Sequence, residues 1–280
     1  MKLVRYMHDG VKTGLVVEDS VVDTGFHGPM FSLIEQWSEC RTKMEAVLNS
    51  GPRIPLDSVK LCAPIQRPGK IFAIGLNYAD HCAESGIEVP SDQLWFTKAQ
   101  TSINGPFDPI MITSGAPKVD YEAELVVVIG KRAKHISPES AADYVFGYCV
   151  GNDVTERAWQ LRTPQWSLGK SFDTHAPIGP WITTFDEVED PHMLDITCHV
   201  NGELRQKSNT RHLVFNIWQQ IAHLSSAMTL EPGDLIFTGT PNGVGVAMKP
   251  RQFLKAGDTV RCEIGGLGVI EACLEAEVIA

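Results

Sequence analysis

The chain has 280 residues, 43% of them hydrophobic and 21% charged, with a formal net charge of −10. That composition builds a soluble globular core and excludes a disordered or membrane-embedded chain, while the acidic balance argues against nucleic acid as a partner. The seven cysteines form no Cys-x-x-Cys pair, which excludes a disulfide framework or zinc knuckle and fits reduced thiols in a cytoplasmic setting. No apolar run reaches the roughly 20 residues a membrane helix needs, and the charged opening Met1-Lys2-Leu3-Val4-Arg5 does not read as a signal peptide.

In chain order, Lys2–Met7, Gly14–Glu18 and Ser20–Asp23 read as short strands. A helical pattern follows through Phe31, Ile34, Trp37, Met44, Val47 and Leu48. Prolines 52, 55, 64 and 68 with Gly51 and Gly69 then mark a boundary, which divides a small α+β unit, residues 1–64, from a larger one, residues 65–280. Beyond it, strands are expected at Lys70–Gly75, Tyr121–Gly130, Tyr144–Gly151, Thr197–Asn201, Asp234–Thr240, Thr259–Ile264 and Val269–Ala276. One amphipathic helix interrupts them, with Val214, Ile217, Trp218, Ile221, Leu224 and Met228 on one stripe. Many strands and few helices predict a β-rich α+β fold.

The strand-like run at 121–130 begins Tyr121-Glu122-Ala123-Glu124. Alternation along a strand turns Glu122 and Glu124 to one face, with Cα atoms about 6–7 Å apart. Two carboxylates there either share a hard divalent cation or sit in water on an exposed edge. Asp153, at the end of the next run, can complete a three-carboxylate set for Mg²⁺ or Mn²⁺; with Glu156 it also has the spacing of a helix N-cap box.

Asn77 as N-cap and Gly86 as stop bracket a short helical segment carrying His81 and Glu84, three residues apart and so on one face. The pair reads either as a base with its orienting carboxylate on a mobile lid, or as a surface ion pair. Gly169-Lys170-Ser171 is not a phosphate loop, because the first glycine of that motif would fall on Pro164. Lys170 is then a cation for a substrate oxyanion or a plain surface lysine. The turn Gly239-Thr240-Pro241-Asn242-Gly243 allows close backbone approach to a ligand, or is an ordinary tight turn. His175, His199, His223 and Cys149 read as structural.

Taken together and in this order, the stretches IGLNYADH (74–81), DYEAELVVVIGK (120–131), GYCVGNDVTERAWQ (147–160), QWSLGKSFDTHAPIGPW (165–181) and LEPGDLIFTGTPNGVG (230–245) resemble the fumarylacetoacetate hydrolase superfamily. The likeness spans roughly residues 65–250. It implies a mixed β-sandwich roll preceded by a small N-terminal α+β domain, in a homodimer. By position it assigns Glu122, Glu124 and Asp153 to a divalent metal, Mg²⁺ or Mn²⁺, and His81 with Glu84 to a water-activating dyad on a lid. It assigns Lys170 to catalysis, and Gln160 and Thr240 to substrate contact. Two departures stand out. Leu76 occupies a place where many members have arginine, and Ala158 one where many have an acid beside the residue matching Arg157.

The resemblance implies a small-molecule 2-oxo acid as substrate. The expected reaction is hydrolysis of a C–C bond in a 2,4-dioxo, acylpyruvate-type acid, releasing pyruvate. Oxaloacetate decarboxylation, keto–enol isomerisation or a hydratase-type lyase reaction can use the same enolate chemistry. A non-catalytic metal-binding module is the reading from another class.

Overall fold

A computed structural model of the chain describes residues 1–278. Two sheets carry the fold, one of twelve strands and one of five. Ala123–Ile129 lies near the middle of the large sheet, antiparallel to Val145–Asn152 on one side and Leu235–Phe237 on the other. Leu235–Phe237 then pairs in parallel with Ile71–Gly75, and Leu94–Thr97 closes that edge. The smaller sheet runs Glu203–Asn209, Asp195–Val200, Thr259–Ile264, Gly268–Ala276, Ile110–Ile112. This is the β-rich α+β fold that the strand count predicts, with the mixed sheets that the family resemblance implies.

The run Ala123–Ile129 is apolar on both faces because both are covered. Leu125, Val127 and Ile129 share a core with Ile196, Val260, Cys262 and Ile264 of the small sheet. Val126 and Val128 pack on the opposite side with Met30, Leu33, Ile34 and Met44 from the N-terminal helices. A strand buried on both faces loses the alternating pattern and reads as a continuous hydrophobic run.

The N-terminal unit extends the large sheet. Lys2 and Leu3 register against Thr183 and Ile182 of the strand Ala176–Thr184. The Pro- and Gly-rich stretch at 50–69 contains two three-residue strands, Arg53–Pro55 and Lys60–Cys62, which pair with Ser20–Asp23 and Lys2–Met7. The helical pattern after residue 30 forms two helices, Met30–Glu35 and Trp37–Ser50, broken at Gln36 (φ −93°, ψ 12°). Phe31 is exposed; Met30, Leu33 and Ile34 face the core instead. The amphipathic helix begins at Ile217, where Asn216 and Gln219 form a reciprocal capping box, so Val214 lies outside it.

Besides short strands such as Leu94–Thr97 and Ile110–Ile112, two longer strands escape the sequence pattern. Ala176–Thr184 contains Pro177, Gly179 and Pro180, which read as breakers, and a register shift opposite Tyr148–Val150 accommodates them. Glu203–Asn209 is polar apart from the exposed Leu204, and its buried positions are Gln206 and Asn209. Among the described residues, no helix is long and apolar enough to cross a membrane.

Candidate active site

Sheet register assembles the acids. Ala123 pairs with Asn152, so the residues just outside the pair, Glu122 and Asp153, face each other across the strand ends. Backbone N–H of Asp153 donates to Glu122 O at 2.8 Å, and the Asn152 side chain accepts from Glu122 N at 2.9 Å. Glu124 projects from the first turn of the strand. One carboxylate oxygen from each of Glu122, Glu124 and Asp153 lies within 4.8 Å of the others, and all three side chains are buried. The solvent-exposed edge reading of this strand is therefore wrong. The cap reading of Asp153 also fails: the N-cap is Glu156, whose own carboxylate accepts from Trp159 N at 2.7 Å.

The acids are unequally compensated. Lys170 bonds Glu122 and also Asp153 Oδ2, the latter at 2.5 Å, while Lys98 Nζ lies 2.6 Å from Asp153 Oδ1. Arg157 lies 2.7 Å from Glu122 Oε1 and 2.8 Å from Asp120 Oδ2. Burial would push the Glu122 carboxyl up, but Lys170 and Arg157 outweigh it and hold it well below the usual carboxylate range. Glu124 has no such partner among the described residues and accepts only from Gly239 N, at 2.8 Å. Burial first, then the charges of Asp153 and Glu122, raise its pKa well above the ordinary value.

The charge balance supports the same reading. With every acid ionised, Asp120, Glu122, Glu124 and Asp153 would face only Lys98, Arg157 and Lys170 among the described residues, so this buried network of seven side chains would carry one surplus negative charge. Buried charge without a partner is costly. Three converging carboxylates with an uncompensated member suit a hard divalent cation, which would turn the surplus to one positive charge and so favour an anionic ligand.

His81 and Glu84 lie on the helix Ala79–Ser85, which Gly86 ends in the left-handed conformation (φ 68°). His81 is 8% exposed and lines the same cavity as Glu122, Glu124 and Lys170. Its Nδ1 stands 3.7 Å from Glu84 Oε2, too far for a hydrogen bond, and has no other partner. Glu84 instead accepts from Gly243 N at 2.9 and 3.1 Å. Gly243 (φ +101°) is needed there, since a side chain would collide with the carbonyl of Arg205. The turn after Thr240 is thus more than a connection: it fastens the short helix over the cavity.

Asn77 does not cap that helix; the N-cap position is Tyr78. Asn77 is fully buried, donates to Phe215 O and Thr238 O at 3.1 and 2.8 Å, and accepts from Phe215 N at 2.8 Å.

Gln160 and Thr240 both line the cavity, which encloses about 140 Å³. Gln160 Oε1 accepts from Arg157 at 3.0 Å, and its backbone passes so close to Gly169 that no side chain fits between them. The Thr240 hydroxyl donates to Ala123 O at 2.9 Å and accepts from Gln206 at 2.8 Å. The acid that Arg157 lacks at position 158 is supplied by Asp120, from elsewhere in the chain. The sequence reading missed Lys98, Asp120 and the cavity wall Trp166. Lys98 follows the aromatic pair Trp95-Phe96, a cue that it leaves a packed strand into the interior.

Comparison with known proteins extends this geometry. The family description "Fumarylacetoacetate (FAA) hydrolase C-terminal" matches residues 70–275. The chain is 44% identical over 285 residues to a protein of Rattus norvegicus named oxaloacetate tautomerase Fahd2a, mitochondrial, covering 96% of this chain and 90% of that one. Among solved structures, maleylpyruvate hydrolase from Sphingobium sp. SYK-6, in complex with manganese(II) and pyruvate, superposes with a TM-score of 0.86 at 35% identity, covering 99% and 100% of the two chains. A 5-carboxymethyl-2-hydroxymuconate delta-isomerase from Mycobacterium smegmatis gives 0.81 at 33% identity, covering both chains completely. Sheet, acidic cluster and relatives agree: this chain is an enzyme of the fumarylacetoacetate hydrolase family.

Proposed function

We propose that the protein is a divalent-metal-dependent enzyme that interconverts the keto and enol forms of a short 2-oxo acid, with oxaloacetate as the substrate the similarities favour. The observation that carries it is the convergence of Glu122, Glu124 and His81 on one cavity of about 140 Å³, with fully buried Asp153 within reach of both acids. That volume is well below the roughly 300–1,000 Å³ of sites for drug-sized ligands, and so suits a small acid. The relative with 44% identity over 96% of this chain bears the name of an oxaloacetate tautomerase.

Glu122, Glu124 and Asp153 would hold Mg²⁺ or Mn²⁺. The ion would supply Lewis-acid polarisation of the 2-oxo group and charge for the C1 carboxylate. Gln160 and Thr240 flank the substrate, and the Thr240 hydroxyl, which donates to Ala123 O and accepts from Gln206, is held in place rather than free to donate. His81 takes the proton from C3, and a proton returned to the 2-oxo oxygen completes the enol, so no atom is gained or lost. Glu84, through its bond to Gly243 N, holds down the helix that carries His81. Lys170, already poised among the acids, offsets the negative charge that develops on the substrate oxygen.

A second reading has its own support. The maleylpyruvate hydrolase neighbour matches 99% of this chain. In C–C hydrolysis of a 2,4-dioxo acid, His81 would take a proton from water, the resulting hydroxide would add to the C4 carbonyl, the C3–C4 bond would break to release a carboxylic acid, and the pyruvate enolate would take the proton back from His81 at C3. One experiment separates the two. The Mn²⁺-loaded protein is given enol-oxaloacetate, followed by ultraviolet absorbance, and in parallel a 2,4-dioxo acid, followed by pyruvate release. Faster decay of the enol without CO₂ release supports the tautomerase; pyruvate release with no effect on the enol overturns it in favour of hydrolysis. A homodimer is expected from the family likeness, and light scattering on the purified protein tests it.

A further inference from the structure

The cavity divides sharply by depth. Its charged and titratable liners, His81, Glu122, Glu124, Arg157 and Lys170, are at most 8% exposed and form the floor. Both permanent cations there are already committed: Arg157 to Asp120 and Glu122, and Lys170 to Glu122 and Asp153. The more exposed liners carry no charge. Leu76, Ile87, Leu161, Trp166 and Val246 are apolar, and Ser85 offers only a hydroxyl. Leu161 and Ile87, at 66% and 49% exposed, place this zone at the mouth. Gly75 belongs to it too, and its missing side chain lets the Trp166 ring lie directly on the backbone.

We infer that this mouth is a selectivity zone: 2-oxo acids extended beyond C4 are accepted when the extension is uncharged and refused when it ends in a carboxylate. The inference rests on the proposed binding of a 2-oxo acid head at the acidic cluster. A four-carbon acid is spent within the polar floor, whereas each further atom enters the apolar zone. A carboxylate there would find no cation among the liners of the zone, whereas an alkyl group would cover apolar surface. Leu76 is the residue on which the selectivity turns. It holds a left-handed backbone conformation (φ 56°) and is half-buried, with its side chain lining the cavity. Because leucine and arginine are both unbranched at Cβ, Leu76→Arg adds no backbone strain beyond what the native residue already bears.

The test compares two acids of matched shape, 6-methyl-2-oxoheptanoate and 2-oxoadipate, by calorimetric binding to the Mn²⁺-loaded protein. The branched alkyl acid should bind at least about tenfold more tightly. Leu76→Arg should close or reverse that ratio, and Ile87→Lys, at the exposed rim where folding is not at stake, should move it in the same direction. Using a ratio cancels any general loss of affinity. Equal or tighter binding of 2-oxoadipate to the unaltered protein would overturn the inference, as would failure of both acids to bind or a ratio unmoved by both substitutions. If the ratio behaves as stated but oxaloacetate is not tautomerised, the proposed reaction is wrong and the selectivity zone stands.

Discussion

Glu84 and Gly243 are 159 residues apart in the chain, yet both carboxylate oxygens of Glu84 accept from the Gly243 backbone N–H, at 2.9 and 3.1 Å. The contact holds the His81 helix down by a group that no side-chain substitution at position 243 can imitate. Glu84→Ala removes both the fastening and the carboxylate that would orient His81. Turnover should fall by about 10²-fold or more, within the range general acid–base groups supply. Calorimetric Mn²⁺ affinity should stay within about threefold. A variant whose turnover is unchanged would show that the helix needs no fastening.

Removing the uncompensated acid should be decisive for the metal. In Glu124→Ala only Glu122 and Asp153 remain, and both are bonded to Lys170. Mn²⁺ affinity should drop by at least about 10²-fold, and thermal stability without metal should hold or rise, because like charges no longer oppose one another. Mn²⁺ titration with the signal undiminished would show that the ion binds elsewhere.

Lys170 makes the opposite prediction. Its ammonium competes with a divalent cation for Glu122 and Asp153, so Lys170→Met should bind Mn²⁺ at least as tightly as the native protein while losing about 10²-fold or more in turnover. Weaker metal binding in this variant would contradict the competition.

Lys98 is a purely internal partner. Its ammonium is fully enclosed, donates to Asp153 and Val154 O, and also reaches the carbonyl of Lys170. Lys98→Met breaks a buried ion pair on one side only, a change that costs about 3–5 kcal/mol. Chemical denaturation should show that loss, and saturating Mn²⁺ should restore part of it by giving Asp153 a new counter-charge. An unfolding midpoint that does not respond to Mn²⁺ would defeat this account.

Acid stability should depend on His175. Burial drives its pKa down to about 3, and its Nε2 lies 3.0 Å from Met111 O. Its pKa in the unfolded chain is about 6.5. Below that value the unfolded chain binds a proton that the folded one refuses, so stability is fully present above pH ~6.5 and is lost as pH falls toward ~3. The upper bound is on the order of 4–5 kcal/mol. His175→Gln should flatten the slope of unfolding free energy between pH 6.5 and 4, whatever it does at neutral pH. An unchanged slope would assign acid lability to other groups.

What the sequence revealed follows the range of the interaction. Glu122 and Glu124 were legible because strand alternation is local, and Asp153 because it ends the neighbouring run. Lys98, Asp120 and Asn77 were not, because what matters about each is a partner far along the chain: Asp153, Arg157 and Thr238. Glu203–Asn209 was invisible for another reason. Its inward Gln206 serves Ala123 N, Thr240 Oγ1 and Pro241 O, so the side chain facing the interior is polar by need and the usual hydrophobic signal is inverted. The N-cap assignment of Asn77 failed on the same principle, since local preference yields when a buried backbone elsewhere lacks partners.

The base of the flap is nailed while its tip is only latched. Asn77 is tied to Val214, Phe215 and Thr238 through its backbone carbonyl and every polar atom of its amide, and Tyr78 bridges to Leu213. At the far end the Glu84 side chain is held by one amide hydrogen, that of Gly243, while His81 and Cys82 pack inward. Admission of substrate therefore demands only a small, local excursion of about ten residues, and the sheet beneath need not breathe with it. Hydrogen exchange should record two rhythms around the flap: rapid at 80–87, and slow at Val214 and Phe215, whose amides donate to Asn77.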